Sequence, residues 1–153
     1  MDLVELLMSE HASLRIYFRH LKGMRFDSFF ELDGFVNDCH VRMEGEALFP
    51  ALNVSTKRLQ TEHEALKMLS NGIRVSVAED KSELDKNKVA LYADTSESHN
   101  TSEEKTVFKE WRQVSKDKRE EASTRGLEII GSFGLERYLR ITDFSSEFLS
   151  LLK

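Results

Sequence analysis

One cysteine and one proline are all that 153 residues contain of either type. A lone cysteine closes no internal disulfide, as expected in a reducing compartment, and it cannot supply the thiolates of an iron–sulfur cluster. With one proline and seven glycines the chain has few helix breakers, so long helices are its natural local structure. Dense basic clusters are also missing and the formal charge is −5, which argues against nucleic acid as a partner. No uninterrupted apolar run is long enough to cross a bilayer, and the acidic, amphipathic start Met1-Asp2-Leu3-Val4-Glu5 is no signal peptide. Hydrophobic residues at 40% and charged residues at 32% are ordinary for a globular chain of a size that buries a core. The expectation is one soluble, cytoplasmic domain over residues 1–153, with neither membrane nor nucleic acid as partner.

What the chain does have is a doubled phrase. In Cys39-His40-Val41-Arg42-Met43-Glu44 a glutamate follows a histidine by four residues, which on a helix puts both on one face, one turn apart. Leu32, Val36, Met43 and Ala47 surround the pair at helical spacing. The phrase recurs as His99-Asn100-Thr101-Ser102-Glu103, and at the same offsets Leu48-Phe49 follows the first copy and Val107-Phe108 the second. Each copy is preceded by a shorter shared phrase, Glu10-His11-Ala12-Ser13-Leu14 and Glu62-His63-Glu64-Ala65-Leu66. The remaining histidine, His20, lies half a turn out of phase with His11 and is expected in solvent.

Apolar positions step by three and four through Val4, Leu7, His11, Leu14, Phe18 and Leu21, predicting a first helix from about Leu3 to Leu21 with a stop near Gly23. A second helix starts near Asp27 and is expected to end before Pro50. Ser55 or Thr56 can cap a third, with the stripe Leu59, His63, Leu66, Leu69 or Ser70, and Ile73, ending between Val77 and Lys81. A fourth covers roughly Glu83 to Val114, with Tyr92, His99, Glu103, Val107 and Trp111 near one line. Short connections make neighbours antiparallel, so the expected fold class is all-α: an up-down-up-down four-helix bundle over about 3–115 with an additional C-terminal helical segment over 116–153. In that tail Lys116 to Arg125 looks solvated, Gly126, Gly131 and Gly134 interrupt an apolar stretch, and Phe144, Phe148 and Leu151 form a short amphipathic helix. The tail is expected to pack on the bundle or a partner chain and to hold no chemistry.

Each bundle helix then offers the interior a metal-type ligand at mid-height. Imidazole with carboxylate suits iron, manganese or zinc, and nothing resembles an oxygen-rich calcium loop. Two glutamates converging at one level repel unless cations sit between them. Four neutral imidazoles and two bridging carboxylates suffice for two divalent ions about 3.5–4 Å apart. The ferritin-like pattern, Glu-x-x-His on two helices with a lone Glu on each other helix, does not fit. The candidate metal residues are His11, His40, Glu44, His63, His99 and Glu103, with Glu104 as the alternative to Glu103. Cys39 reads as a small buried hydrophobe, Tyr92 as a core residue or a hydrogen-bond partner of a ligand, and Glu10 and Glu62 as surface residues despite their repeat.

Paired His…His-x-x-x-Glu phrases, the first closed by Leu48-Phe49-Pro50, resemble the hemerythrin-like (HHE cation-binding) domain over roughly Leu3 to Trp111. The resemblance implies a non-haem, carboxylate-bridged di-iron centre inside a four-helix bundle. By that match Glu44 and Glu103 bridge the metals, His11 and His40 bind one iron, and His63 and His99 bind the other. Oxygen-carrying members have a further histidine one turn before the residue matched by His63, where this chain has Leu59. They also have an aspartate five residues after the last histidine, where this chain has Glu104 behind Glu103. The missing imidazole leaves more open coordination and argues against simple reversible oxygen carriage. Lys109 stands where the first copy has Pro50, so the fourth helix is expected to continue. The implied function is binding or reduction of a small oxidant (dioxygen, hydrogen peroxide or nitric oxide), with peroxide breakdown by a di-iron oxidoreductase as its enzymatic form. The alternative is a non-enzymatic iron, oxygen or redox sensor, or an iron-handling protein, acting through a partner as monomer or homodimer.

Overall fold

The first helix is started by its own sequence. Asp2 Oδ1 accepts from the Glu5 amide at 3.0 Å and Glu5 Oε2 accepts from the Asp2 amide at 2.8 Å, a reciprocal cap that satisfies two otherwise orphaned donors. In this computed structural model, which describes residues 1–80 and 85–152, helix α1 runs Leu3–His20 and tightens into a 3₁₀ turn at Leu21–Gly23. The predicted stripe from Val4 through Leu21 is buried.

Helix α2 spans 26–51 and is not a regular α-helix. It contains two wide turns, Val36–His40 and Glu44–Leu48, in which the hydrogen bonds span five residues. Its buried positions include Leu32, Val36, His40, Glu44 and Leu48, a run with a strict period of four. On a helix of 3.6 residues per turn such a run drifts by about 40° at each step. Each wide turn takes up an extra residue and cancels part of that drift, so the run keeps facing inward. The helix also runs through Pro50 to Ala51 instead of ending before it. Pro50 lies in the first turn of the short α-helical segment Phe49–Ala51 that follows the second wide turn, the position where a missing N–H is tolerated.

Helix α3 is Lys57–Asp80, begun by the Gln60 amide donating to the Thr56 carbonyl at 3.0 Å. Helix α4 is Lys86–Lys105, capped by Asp85, whose carboxylate accepts from the amides of Asn87 and Lys88 at 3.0 and 3.2 Å. Lys81 and Glu83, expected near the end of the third helix and the start of the fourth, lie outside the described residues. The expected continuous run to Val114 does not form. Thr106 breaks it with φ −115° and ψ −86°, its hydroxyl donating to the Ser102 carbonyl at 2.7 Å in competition with the ladder. The chain resumes as Val107–Glu110 and closes in a 3₁₀ turn at Trp111–Gln113.

Side-chain pairs fix the topology. Arg58 reaches Ser102 and Glu62 reaches His99, so α3 and α4 are antiparallel. Asp33 pairs with Arg74 and Glu44 approaches His63, so α2 and α3 are too. Trp111 donates to Asp2 while Tyr92 packs on Phe18, which sets the C-terminal end of α4 against the start of α1. The result is an up-down-up-down arrangement in an all-α fold. No helix among the described residues is long and apolar enough to cross a membrane.

The tail forms α5 (Lys116–Phe133), α6 (Leu135–Thr142) and α7 (Ser146–Leu149). Gly126 and Gly131 lie inside α5 and do not interrupt it. At Gly126 the reason is close approach, since a Cβ there would stand 2.9 Å from Leu3 Cδ1. Gly134, with φ 105°, is where α5 ends. Ala122, Ile129 and Ile130 of α5 and Tyr138 and Ile141 of α6 are buried with the bundle core.

Candidate metal centre

Each of the four bundle helices sends one imidazole to mid-height, and α2 and α4 each add a carboxylate one turn further on. The two oxygens of Glu44 part company: Oε1 lies 3.3 Å from His40 Nε2 and 3.6 Å from His11 Nε2, while Oε2 lies 3.1 Å from His63 Nε2. Glu103 does the same. Its Oε1 lies 3.2 Å from His99 Nε2 and 3.6 Å from His63 Nε2, and its Oε2 lies 3.6 Å from His11 Nε2. Both carboxylates thus straddle two histidine pairs, His11 with His40 and His63 with His99. The two glutamates and His11 have no exposed surface, and His63, the most exposed ligand candidate, shows 8%.

The outer ring nitrogens are held by acids. His11 Nδ1 donates to Glu104 at 2.9 Å, His40 Nδ1 to Glu10 at 2.6 Å and His99 Nδ1 to Glu62 at 2.8 Å. These bonds place the proton of a neutral ring on Nδ1 and leave the Nε2 lone pair facing inward. Glu10 and Glu62 were expected on the surface; Glu10 is instead fully buried, and Glu62, though partly exposed, also turns its carboxylate to a histidine. Each sits one residue before a lone histidine, turned about 100° from it along its helix. That rotation aims it at the histidine of the next helix, Glu10 from α1 to α2 and Glu62 from α3 to α4. The shared Glu-His phrase was the signal for this role. The phenylalanines of the repeat cross between the pairs: Phe49 stacks on His63 at 5.7 Å and 9°, and Phe108 on His11 at 5.3 Å and 20°.

Tail residue Tyr138, in a segment expected to hold no chemistry, donates its hydroxyl to Glu10. No motif marks it. Tyr92 packs edge-on against Phe18 and Phe29, and its buried hydroxyl has no hydrogen-bond partner among the described residues, so it orients no ligand. Glu104 faces His11 from outside and also accepts from Arg15 at 2.6 Å. Leu59 is buried one turn before His63, Cys39 is fully buried, and His20 is exposed.

The electrostatics follow from this crowding. Burial pushes His40 down, but Glu44 and Glu10 outweigh it and hold the imidazolium well above its usual range. Burial likewise opposes protonation of His63, yet Glu103 and Glu44 lift it to about 9. Burial pushes Glu44 up, and His40, His11 and His63 together hold it well below the usual carboxylate range. Both oxygens of Glu44, both of Glu103, and Nε2 of His63 and of His99 are buried without hydrogen-bond partners. These unpartnered atoms, together with His11 Nε2 and His40 Nε2 facing each other at 3.2 Å, demand positive charge at their centre, as protons or as metal. Two overlapping groups are close enough to share an ion, His11, His40 and Glu44, and Glu44, His63, His99 and Glu103. A nitrogen–carboxylate donor set of this kind fits iron, manganese or zinc.

The family model described as the Hemerythrin HHE cation binding domain fits residues 2–111. No curated protein and no solved structure matches the chain.

Proposed function

Because the chain belongs to the hemerythrin HHE cation-binding domain family, we propose that it is a non-haem di-iron protein that binds or reduces a small oxidant: dioxygen, hydrogen peroxide or nitric oxide. The observation that supports this most is the way Glu44 and Glu103 each turn one oxygen toward either histidine pair. His11 and His40 would hold one ion, His63 and His99 the other, and the two carboxylates would lie between them. Two bound irons would supply a redox couple and a coordination position for the oxidant.

The protein's own residues do the rest. Glu104, Glu10 and Glu62 fix three rings through Nδ1, and Phe49 fixes the fourth by stacking. Near-complete burial keeps bulky substrates out. Leu59, buried one turn before His63, stands where by the resemblance oxygen-carrying members have a further imidazole. Peroxide breakdown is the enzymatic form of this reading. A non-enzymatic sensor is the second, favoured by the docking of α6 on α1, where Tyr17 donates to the Ile141 carbonyl at 2.7 Å and Ser13 to the Thr142 carbonyl at 3.1 Å.

Metal analysis of anaerobically purified protein tests the site. The parent and His20→Ala should each hold about two irons per chain and, once oxidised to iron(III), should show near-ultraviolet charge-transfer bands that zinc cannot give. His63→Ala and Glu103→Ala should hold less. Full iron in both of those variants overturns the assignment. Rapid consumption of peroxide by the loaded parent selects the enzymatic form over the sensor.

A further inference from the structure

We propose that Tyr138 of α6 is a positioning residue of the metal site: its hydroxyl fixes Glu10, and Glu10 fixes the imidazole of His40. The proposal rests on the metal-site reading above. Its observation is an asymmetry among the acids behind the histidines. Glu104 and Glu62 are partly exposed, and each also accepts from a guanidinium, Arg15 at 2.6 Å and Arg58 at 2.8 Å. Glu10 has no exposed surface, and among the described residues no arginine or lysine pairs with it. One oxygen accepts from His40 Nδ1 at 2.6 Å and the other from the Tyr138 hydroxyl. The phenol therefore does for Glu10 what arginines do for the other two acids.

Tyr138 cannot turn away to solvent. It is fully buried, with its ring edge-on to Phe35 at 5.9 Å and Phe144 at 6.3 Å. It also lies beyond residues 2–111, so the bundle that matches the family borrows this support from the tail. Orientation of His40 then depends on where α6 holds the hydroxyl of Tyr138. By thermodynamic reciprocity, a metal held on the His11–His40 side must in turn tighten α6.

The test is a cobalt(II) titration of the metal-free parent, Tyr138→Phe and Tyr17→Phe, read by d–d absorption. Hydrogen exchange of the amides in 135–142 is followed alongside. Phenylalanine keeps the ring between Phe35 and Phe144 and removes only the hydroxyl. Tyr17→Phe removes one α6 contact and leaves the ring of Tyr138 held between Phe35 and Phe144. In Tyr138→Phe, one of the two cobalt equivalents should weaken by about 10–100-fold while the other is unchanged. Tyr17→Phe should bind both as the parent does. Cobalt should slow exchange in α6 of the parent and of Tyr17→Phe, and not of Tyr138→Phe. Glu10→Gln should weaken the same single equivalent and stop cobalt from slowing exchange in α6, and the two readings together decide the matter if Tyr138→Phe does not fold. The proposal is overturned if Tyr138→Phe binds both equivalents like the parent, if both weaken together, if Tyr17→Phe shows the same loss, or if Glu10→Gln has no effect. A parent that binds no pair of cobalt ions refutes the metal-site reading itself, whereas a parent that binds two while Tyr138→Phe matches it refutes only the role of Tyr138.

Discussion

His40 donates from Nδ1–H to Glu10 and sets its Nε2 3.3 Å from Glu44, so in the metal-free chain a second proton settles on it readily. His63, lifted to about 9, and His99, also raised, behave alike, with burial opposing the charge and the central glutamates overriding it. A histidine raised above its unfolded value near 6.5 stabilises the fold fully below that pH and loses its contribution as the pH climbs through the folded value. Glu44, lowered, has the opposite sign: its contribution is present above about 4.5 and is lost on acidification. The metal-free protein should therefore be most stable around pH 5–6.5 and should melt at a lower temperature at pH 9 than at pH 6. Melting curves across that range check it, and a midpoint unchanged from pH 6 to 9 would show that the central histidines carry no protons. Metal competes for the same lone pairs, so zinc uptake in weak buffer at pH 7 should release protons. The residues facing the centre were legible in the sequence because four histidines and two glutamates recur at fixed offsets. Glu10 and Glu62 were not read correctly, because their partners lie on neighbouring helices. Tyr138, 128 residues from the acid it supports, leaves no local trace at all.

At the scale of elements, stripes of three-and-four spacing sufficed for α1 and α3, whose buried faces are those the periodicity predicts. They did not suffice for α2, where a strict period of four asks for wider turns than an α-helix has. The wide turns at Val36–His40 and Glu44–Leu48 lead into and out of the His40–Glu44 pair, so the irregularity sits where the site needs both residues on one face. The tail's glycines were misread for a related reason. Composition alone does not separate a glycine that breaks a helix from one that lets two helices approach. Gly134 is the breaker. At φ 105° an alanine is strained whatever space surrounds it, so Gly134→Ala should destabilise the protein by about 1–3 kcal/mol. Denaturant unfolding checks this, and a variant as stable as the parent would mean the α5–α6 junction takes up another conformation at no cost. The junction matters for the site because it sets where α6, and with it Tyr138, meets α1.

Across the whole molecule the repeat becomes a pair of half-sites. Within each half an acid on the first helix holds a histidine on the second, Glu10 for His40 and Glu62 for His99. Between halves, Phe49 and Phe108 stack on the lone histidine of the opposite pair, and both glutamates reach across. Glu44 and Glu103 therefore join the halves at a point where, without cations, carboxylates and lone pairs face one another with only protons to separate them. Metal binding replaces that contact with attraction at the centre of all four helices, so binding free energy is delivered as folding free energy. Free zinc at about a hundred times its dissociation constant should stabilise the protein by about 2.7 kcal/mol. For a chain of this length that is a rise of about 5–11 °C in Tm. Scanning calorimetry of the metal-free and zinc-loaded protein at pH 7 measures it, with zinc chosen because it undergoes no redox change during the scan. His63→Ala should lose most of the gain, since it removes the one ring nitrogen that approaches both central glutamates from the α3 side. Equal midpoints with and without zinc would mean that the helices do not hold Glu44 and Glu103 around a common ion site in solution.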